Sequence, residues 1–370
     1  MRIGWMFAFV VMTGVAAAGS SEEADRLAAL MSVDPRVQEA ARAVAASDAR
    51  LEELDRAARA VGTDEAAVTR LDRAYEAEVA RRERVLAGVV DALAPAKATP
   101  SGSVVALDDP LFDPVNAKLG MRDPAAFRAK VGGGVYLRET FAPEKTVVVV
   151  VHGMTGSPRD FREIIAKLDP AKYQVWMAFY ASGDELGRSA RLVGNALADL
   201  LARYPARRVA VIAHSLGGLV WRARELPGAK AGAAVVDPRV SAVYTLCTPH
   251  HGVAFRPLPA VRLACRILYR HLPPFIEDLL EGSEWLAQLQ ATANPPGVRR
   301  CAGGYGHEGL WYRELIGAFI PGPDDGLVPL ASTPWDATTE WKSFDADHVR
   351  MLEIPPVLAQ LAAWLATDLE

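Results

Sequence analysis

The sequence has little net charge and few cysteines. Its formal net charge is −4 over 370 residues. Acidic and basic residues are interspersed, so the sequence predicts neither a nucleic-acid surface nor a charged tail. No Gly-Lys-Ser/Thr is present, and the glycine-rich loop His152–Gly156 is not a full Gly-x-Gly-x-x-Gly, which argues against a phosphate loop or a dinucleotide site at this loop. About half of the residues are apolar, as in an ordinary globular protein with a large core.

Cysteine occurs only at positions 247, 265 and 301. None of the three has the spacing of metal ligands. The odd number leaves at least one thiol unpaired in a monomer. If a disulfide forms, Cys265 with Cys301 is the pairing that we expect. Cys247 ends a predicted core strand and is expected to be a small, buried, apolar residue.

One long apolar run is present, from Ile3 to Ala18. It follows Met1-Arg2 and ends in Ala16-Ala17-Ala18, which is the layout of a secretory signal peptide. We therefore expect residues 1–18 to direct export, to the periplasm or the medium. A retained membrane anchor is the alternative, although the run is slightly short for a span of about 20 residues. No cysteine follows the run, so a lipid-anchored form is not indicated.

Residues 22–94 are rich in Ala, Glu and Arg and predict a helical hairpin or bundle. Its longest helix has an apolar stripe with residues mostly three or four apart: Val68, Leu71, Tyr75, Val79, Leu86, Val89 and Leu93. Such a stripe indicates a structural extension or an oligomerisation element. Proline and small residues in 95–110 predict a linker, and 111–370 is the predicted second domain.

In the second domain, short apolar runs alternate with amphipathic helices, which is typical of a mostly parallel sheet with helices on both faces. The predicted strands are 135–139, 145–151, 173–180, 207–213, 240–246, 298–303 and 340–344, and a closing helix covers 357–369. The alternation stops at about 253–293. Amphipathic helices at 261–271 and 274–289 predict a lid or cap there.

The fourth predicted strand runs directly into His214-Ser215-Leu216-Gly217-Gly218. A serine on a sharp turn between a buried strand and a helix stands clear of the sheet, where a base and a substrate can both reach it. The turn needs small residues two before and two after the serine, and these are Ala213 and Gly217. The N–H of Leu216, at the helix start, is suited to stabilise an oxyanion.

A glycine-rich loop, His152-Gly153-Met154-Thr155-Gly156, follows the buried strand that contains five valines. Glycines let this backbone pass close to the serine, so the N–H of Met154 is the second candidate oxyanion donor. His152 is expected to be structural.

Two later segments supply an acid and a base. Gly322-Pro323-Asp324-Asp325-Gly326 is a turn that can present a carboxylate to an imidazole. The Asp-Gly turn geometry favours Asp325 over Asp324. His348 is the histidine that follows both the serine and this turn. The order Ser, Asp, His along the chain is the one found where the serine lies on such a strand–turn–helix motif.

These four segments together resemble the bacterial lipases and esterases of the α/β-hydrolase superfamily, over residues 133–369 but not over the N-terminal helices. The resemblance implies an α/β-hydrolase fold with a helical lid. It also implies that Ser215 is the nucleophile, Asp325 the acid and His348 the base, and that Met154 and Leu216 form the oxyanion hole.

Thr248-Pro249-His250-His251-Gly252 is similar to the Pro-His-x-Gly segment that such lipases carry, and we expect both histidines in the pocket wall. Some of these lipases hold calcium. No such site is evident in the sequence, so no metal and no cofactor is predicted.

The predicted function is hydrolysis of carboxylic esters, with lipids as substrates, through an acyl-enzyme. One alternative is a thioesterase or another serine-dependent acyl hydrolase or acyltransferase that acts on a cell-surface lipid. A non-catalytic binding protein on a hydrolase scaffold is a further alternative. The expected partners are the ester or lipid substrate and, through the lid, a lipid surface.

Overall fold

The computed structural model describes residues 99–223, 237–254, 274–292, 297–306, 320, 322–337 and 339–369, with single positions between 42 and 78. The predicted signal peptide, nearly all of the predicted N-terminal helical region and the predicted lid helix 261–271 lie outside them. The chain divides into two compact units, 1–96 with 258–272 and 97–257 with 273–370. The second unit holds the sheet. Within the described residues, no helix combines the length and apolarity needed to cross a membrane.

One seven-stranded sheet organises this unit, with the strand order β1-β3-β2-β4-β5-β6-β7. The strands are β1 Gly134–Leu137, β2 Thr146–Val151, β3 Tyr173–Phe179, β4 Val209–His214, β5 Val240–Leu246, β6 Val298–Gly304 and β7 Glu340–Phe344. β1 pairs with β3 in the antiparallel sense, and the other pairs are parallel. The crossed order of β2 and β3 and the mostly parallel sheet confirm the predicted α/β-hydrolase fold.

Helices cover the sheet because its central strands are apolar on both faces. β4 is buried at every position, and β2 at all but its first. A parallel sheet of this kind is stable only when both faces are covered. The helices of the described residues are α1 Pro114–Arg122, α2 Pro124–Lys130, α3 Arg162–Lys167, α4 Leu186–Arg203, α5 Leu216–Arg222, α6 Pro274–Asp278, α7 Glu284–Ala291 and α8 Pro355–Leu369.

Part of the predicted linker runs beside the edge strand β1. The N–H of Gly102 donates to the Val135 carbonyl at 2.8 Å, and the N–H of Val105 donates to the Leu137 carbonyl at the same distance. These bonds satisfy polar groups of the edge strand that would otherwise be open for pairing.

The predicted single helix over 274–289 is wrong, because the structure has two short helices there. Gly282 has a φ of 78°, a left-handed conformation that ends the helical path. Ser283 then caps α7, since its hydroxyl accepts the N–H of Leu286 at 3.2 Å. The described part of the predicted lid has buried apolar side chains, including Phe275, Ile276 and Leu279.

Candidate active site

Ser215 occupies a strained turn between β4 and α5. Its φ of 52° and ψ of −127° lie in a region that residues other than glycine rarely adopt. The turn is held from the neighbouring strand, because the N–H of Ser215 donates to the Leu246 carbonyl at the end of β5, at 2.8 Å. Strain of this kind persists only where the surrounding structure fixes it. The sharp turn predicted from the sequence is therefore present.

Gly217 has no room for a side chain. A Cβ there would overlap the carbonyl oxygens of Val151 and His152 and would lie 2.8 Å from the carbonyl carbon of Val151. The first turn of α5 thus packs directly onto backbone at the end of β2. This contact explains why a small residue is required two positions after the serine.

Replacing Gly217 with alanine is expected to destabilise the protein by about 3 kcal/mol, the upper end of the usual cost of overpacking, because backbone cannot move aside as a flexible side chain can. Urea unfolding measures the change. Gly187→Ala in α4 is the matched control, since its Cβ would lie 3.4 Å from Arg191 Nη1, an ordinary contact. We expect the control to be as stable as the parent or slightly more so. Equal stability of the two variants would contradict this packing argument.

Three side chains that are distant in sequence form one hydrogen-bonded triad, which we define as Ser215, Asp325 and His348. Nε2 of His348 lies 2.8 Å from Oγ of Ser215. Nδ1 of the same ring lies 2.7 Å from Oδ2 of Asp325. The backbone N–H of His348 also donates to the Asp325 carbonyl at 2.9 Å. All three side chains are buried. The sequence-predicted nucleophile, acid and base are thus in direct contact.

The two adjacent aspartates of the turn have different partners. Asp324 accepts the N–H of Gly326 with its Oδ1 at 2.7 Å. Oδ1 of Asp325 accepts the N–H groups of Leu327 and Val328 at 3.0 and 2.8 Å. The turn therefore fixes one oxygen of Asp325 and directs the other to the imidazole.

The environment of Asp325 favours its ionised form. Burial on its own would raise the pKa of this carboxyl. The adjacent charge of His348 and hydrogen bonds from the His348, Cys247 and Val328 groups outweigh that effect, so the pKa lies below its ordinary value. A buried carboxylate that remains ionised can fix the tautomer of a neighbouring imidazole.

The glycine-rich loop after β2 passes beside the serine. A Cβ on Gly153 would lie 3.0 Å from the Cβ of Ser215. The loop is held by the N–H of Thr155, which donates to Oγ of Ser182 at 3.0 Å. The N–H of Met154 therefore belongs to a backbone segment adjoining the serine. Leu216 is the first residue of α5, where N–H groups have no partner inside the helix.

His152 is a buried structural residue of the same loop. Its Nδ1 donates to the Gly153 carbonyl at 2.8 Å, and its Nε2 accepts the N–H of Tyr180 at 3.3 Å. The ring stacks on Tyr180 at 4.2 Å. Burial lowers the pKa of His152 to about 4, so the imidazole is neutral near neutral pH.

His214 is a neighbour of the triad that the sequence analysis did not assign. Its Nε2 donates to the backbone carbonyl of His348 at 2.9 Å, and the two rings lie 4.8 Å apart. Burial, and then the proximity of His348, lowers the pKa of His214 to about 3. It therefore remains a neutral donor that helps to hold the segment carrying His348. The sequence feature that could have identified His214 is its position directly before Ser215.

The histidines after β5 bond other partners. The His250 ring is buried, with Nε2 3.0 Å from the Thr245 hydroxyl. His251 Nδ1 accepts from the Gln290 amide at 3.2 Å. In these contacts neither histidine hydrogen-bonds a triad side chain, and their expected place in the pocket wall stays a prediction.

Cys301 is not disulfide-bonded, and its pairing with Cys265 was expected only if a disulfide forms. It is a free, buried thiol whose sulfur accepts the Thr245 hydroxyl at 3.1 Å. Burial raises the pKa of Cys301 to about 11. Cys265, the expected partner, lies outside the described residues.

Comparison with known proteins agrees with this geometry. Residues 142–269 match the family described as "Putative serine esterase (DUF676)". The matched segment includes Ser215 and the glycine-rich loop but ends before Asp325 and His348. The sequence matches no protein of curated function. The family match and the fold together support a hydrolase of esters.

Similar solved structures include a lipase of Bacillus licheniformis in its mature form, at 16% identity and a TM-score of 0.49, over 63% of this chain and 97% of that chain. The propeptide form of that lipase shares 19% identity over 60% and 51% of the two chains, with a TM-score of 0.47. An esterase of Pyrococcus furiosus shares 16% identity over 62% and 84%, with a TM-score of 0.39.

Proposed function

We propose that the protein hydrolyses carboxylic esters through an acyl-enzyme formed on Ser215. The observation that carries this proposal is the continuous hydrogen-bonded path from Ser215 Oγ through the ring of His348 to Asp325, at 2.8 and 2.7 Å. A serine hydroxyl is a weak nucleophile until an adjacent base accepts its proton. Here the base is in contact with the hydroxyl, and a carboxylate orients the base.

In the first step, Nε2 of His348 accepts the Ser215 proton as Oγ attacks the ester carbonyl. The tetrahedral intermediate collapses when the carbon–oxygen bond to the alcohol breaks and the imidazolium gives its proton to the leaving oxygen. Water then transfers a proton to His348 as it attacks the acyl-serine. The bond between the acyl carbon and Oγ breaks, the imidazolium returns its proton to Oγ, and the acid is released. Asp325 stays ionised and stabilises the imidazolium in both halves.

The negative oxygen of the intermediate needs donors that are already in place. The amides of Met154 and Leu216 are our proposed pair. One belongs to the loop that adjoins Ser215, and the other opens α5 directly after it. Losing a single donor of this type costs about 10²–10³ in rate.

Lipid esters are the substrate class that we propose. Among the described residues, two large apolar side chains are exposed on segments next to the triad. Tyr305, which follows β6, is 45% exposed, and Val349, which follows His348, is 42% exposed. The N–H of Tyr305 donates to the Phe344 carbonyl at 3.0 Å, which ties it to the segment leading to the base. An apolar rim of this kind would favour an acyl chain over a small, polar ester.

A chain-length series tests the proposed substrate. We expect kcat/KM for p-nitrophenyl esters to rise by about tenfold or more from acetate to octanoate, because each buried CH₂ contributes about 0.8 kcal/mol. Emulsified triacylglycerols extend the series beyond the solubility limit. A preference for acetate would exclude lipids and leave a short-chain esterase. Faster turnover of acyl thioesters than of matched oxygen esters would favour the thioesterase alternative.

A further inference from the structure

Cys247 occupies a position where any side chain strains the backbone. It follows the last residue of β5 and has a φ of 51°, a conformation that favours glycine. Its N–H donates to the Ala302 carbonyl of β6 at 2.8 Å. The backbone is therefore pinned to the neighbouring strand, and the side chain is fully buried. A residue that keeps a side chain under these conditions calls for an explanation.

The side chain of Cys247 lies against the acid of the triad. Its sulfur, a carboxylate oxygen of Asp325 and a ring nitrogen of His348 are all within 4.8 Å of one another. Oδ1 of Asp325 accepts two backbone N–H groups and Oδ2 faces the imidazole. A buried carboxylate is more stable with each added donor, and a thiol is a weak donor.

We propose that Cys247 is a positioning residue for the triad. Its Sγ–H donates to the Asp325 carboxylate, holding it where Oδ2 meets Nδ1 of His348. This inference rests on the proposed function, because it assigns Cys247 a role in that reaction.

The thiol remains protonated and therefore acts as a donor, not as a nucleophile. Burial, and then the charge of Asp325, raises the pKa of Cys247 well above its ordinary value. Deprotonation would place a second negative charge beside a buried carboxylate, which is strongly disfavoured.

Three substitutions of Cys247 distinguish the effect of its hydrogen-bond donor from the effect of its side-chain volume. Cys247→Ala removes the donor and keeps the Cβ. Cys247→Ser keeps a donor of similar size. Cys247→Gly removes the donor and relieves the backbone strain, so it is the variant that retains the fold if alanine does not. We expect kcat to fall about tenfold in the alanine and glycine variants, with KM within about twofold, and to stay within about threefold in the serine variant.

The pH dependence of kcat/KM is a second measurement, and a purely structural role of Cys247 would leave it unchanged. Without the thiol donor, Asp325 interacts more strongly with the imidazolium, so the acidic limb of kcat/KM shifts to higher pH by a few tenths of a unit. The serine variant should keep the parental limb. Within the part of the chain that the structure describes, His214 and Asp347 are the other titratable groups near His348 and Cys247, and both are unchanged in all variants.

Fluorophosphonate labelling separates the two proposals. If the parent protein is not labelled at Ser215, the proposed function fails and this inference fails with it. If the parent is labelled, then parental kcat and pH profile in the alanine and glycine variants would overturn the role of Cys247 alone. A serine variant as slow as the alanine variant would also overturn it. Thermal unfolding of each variant shows that the compared proteins are folded.

Discussion

Replacing Ser215 with alanine is expected to lower kcat for p-nitrophenyl esters by about 10⁵–10⁶ and to abolish labelling by fluorophosphonates. In the proposed mechanism Ser215 is the nucleophile, and its Oγ lies 2.8 Å from Nε2 of His348. Without it no acyl-enzyme forms, and only the oxyanion donors and substrate binding remain to accelerate attack by water. At a φ of 52° the backbone strain is the same for alanine as for serine, so the fold should not change.

Steady-state kinetics and mass spectrometry of the labelled peptide test this expectation. Ser189→Ala is the matched control, because Ser189 is also buried but lies in α4, where its hydroxyl donates to the Ala181 carbonyl at 3.4 Å. The control should keep its rate within about twofold. Hydrolysis that survives in Ser215→Ala, or a label on a different residue, would remove the basis of the proposed mechanism.

The sheet was predictable because its central strands are buried on both faces. Continuous apolar runs between turns predicted the central strands. Every predicted strand lies within two residues of its observed bounds, and β5 and β7 match at both ends. The antiparallel pairing of β1 with β3 was not predicted, since pairing direction depends on the path of the chain between strands. The break at Gly282 was missed because periodicity continued through the turn.

The residues of the site were predictable where a short segment of sequence defines them. The strand, turn and helix around Ser215 and the chain order predicted Ser215 and His348, whose side chains the structure brings within 2.8 Å of each other. The choice between Asp324 and Asp325 needed coordinates, because it depends on which carboxylate the backbone N–H groups of the turn hold in place. Cys247 was interpreted as a small apolar residue. Its contact with Asp325 arises only when the end of β5 meets a turn almost 80 residues later.

Replacing Asp325 with asparagine is expected to lower kcat by about 10⁴, with little change in stability. Oδ1 of residue 325 accepts two backbone N–H groups, so an asparagine would keep its amide oxygen there and turn its NH₂ group toward His348. An NH₂ donor facing Nδ1 forces the proton of the neutral ring onto Nε2. That nitrogen then cannot accept the proton of Ser215.

Asp324→Asn is the matched control, because an amide oxygen can still accept the N–H of Gly326 as Oδ1 of Asp324 does at 2.7 Å. We expect its kcat to stay within about threefold of the parent in steady-state assays of both variants at the same pH. Equal losses in the two variants would mean that the turn as a whole, and not the carboxylate of Asp325, supports catalysis. A loss confined to Asp325→Asn would show that the tautomer of His348 is what this carboxylate controls, since the two variants remove the same charge from adjacent residues of one turn.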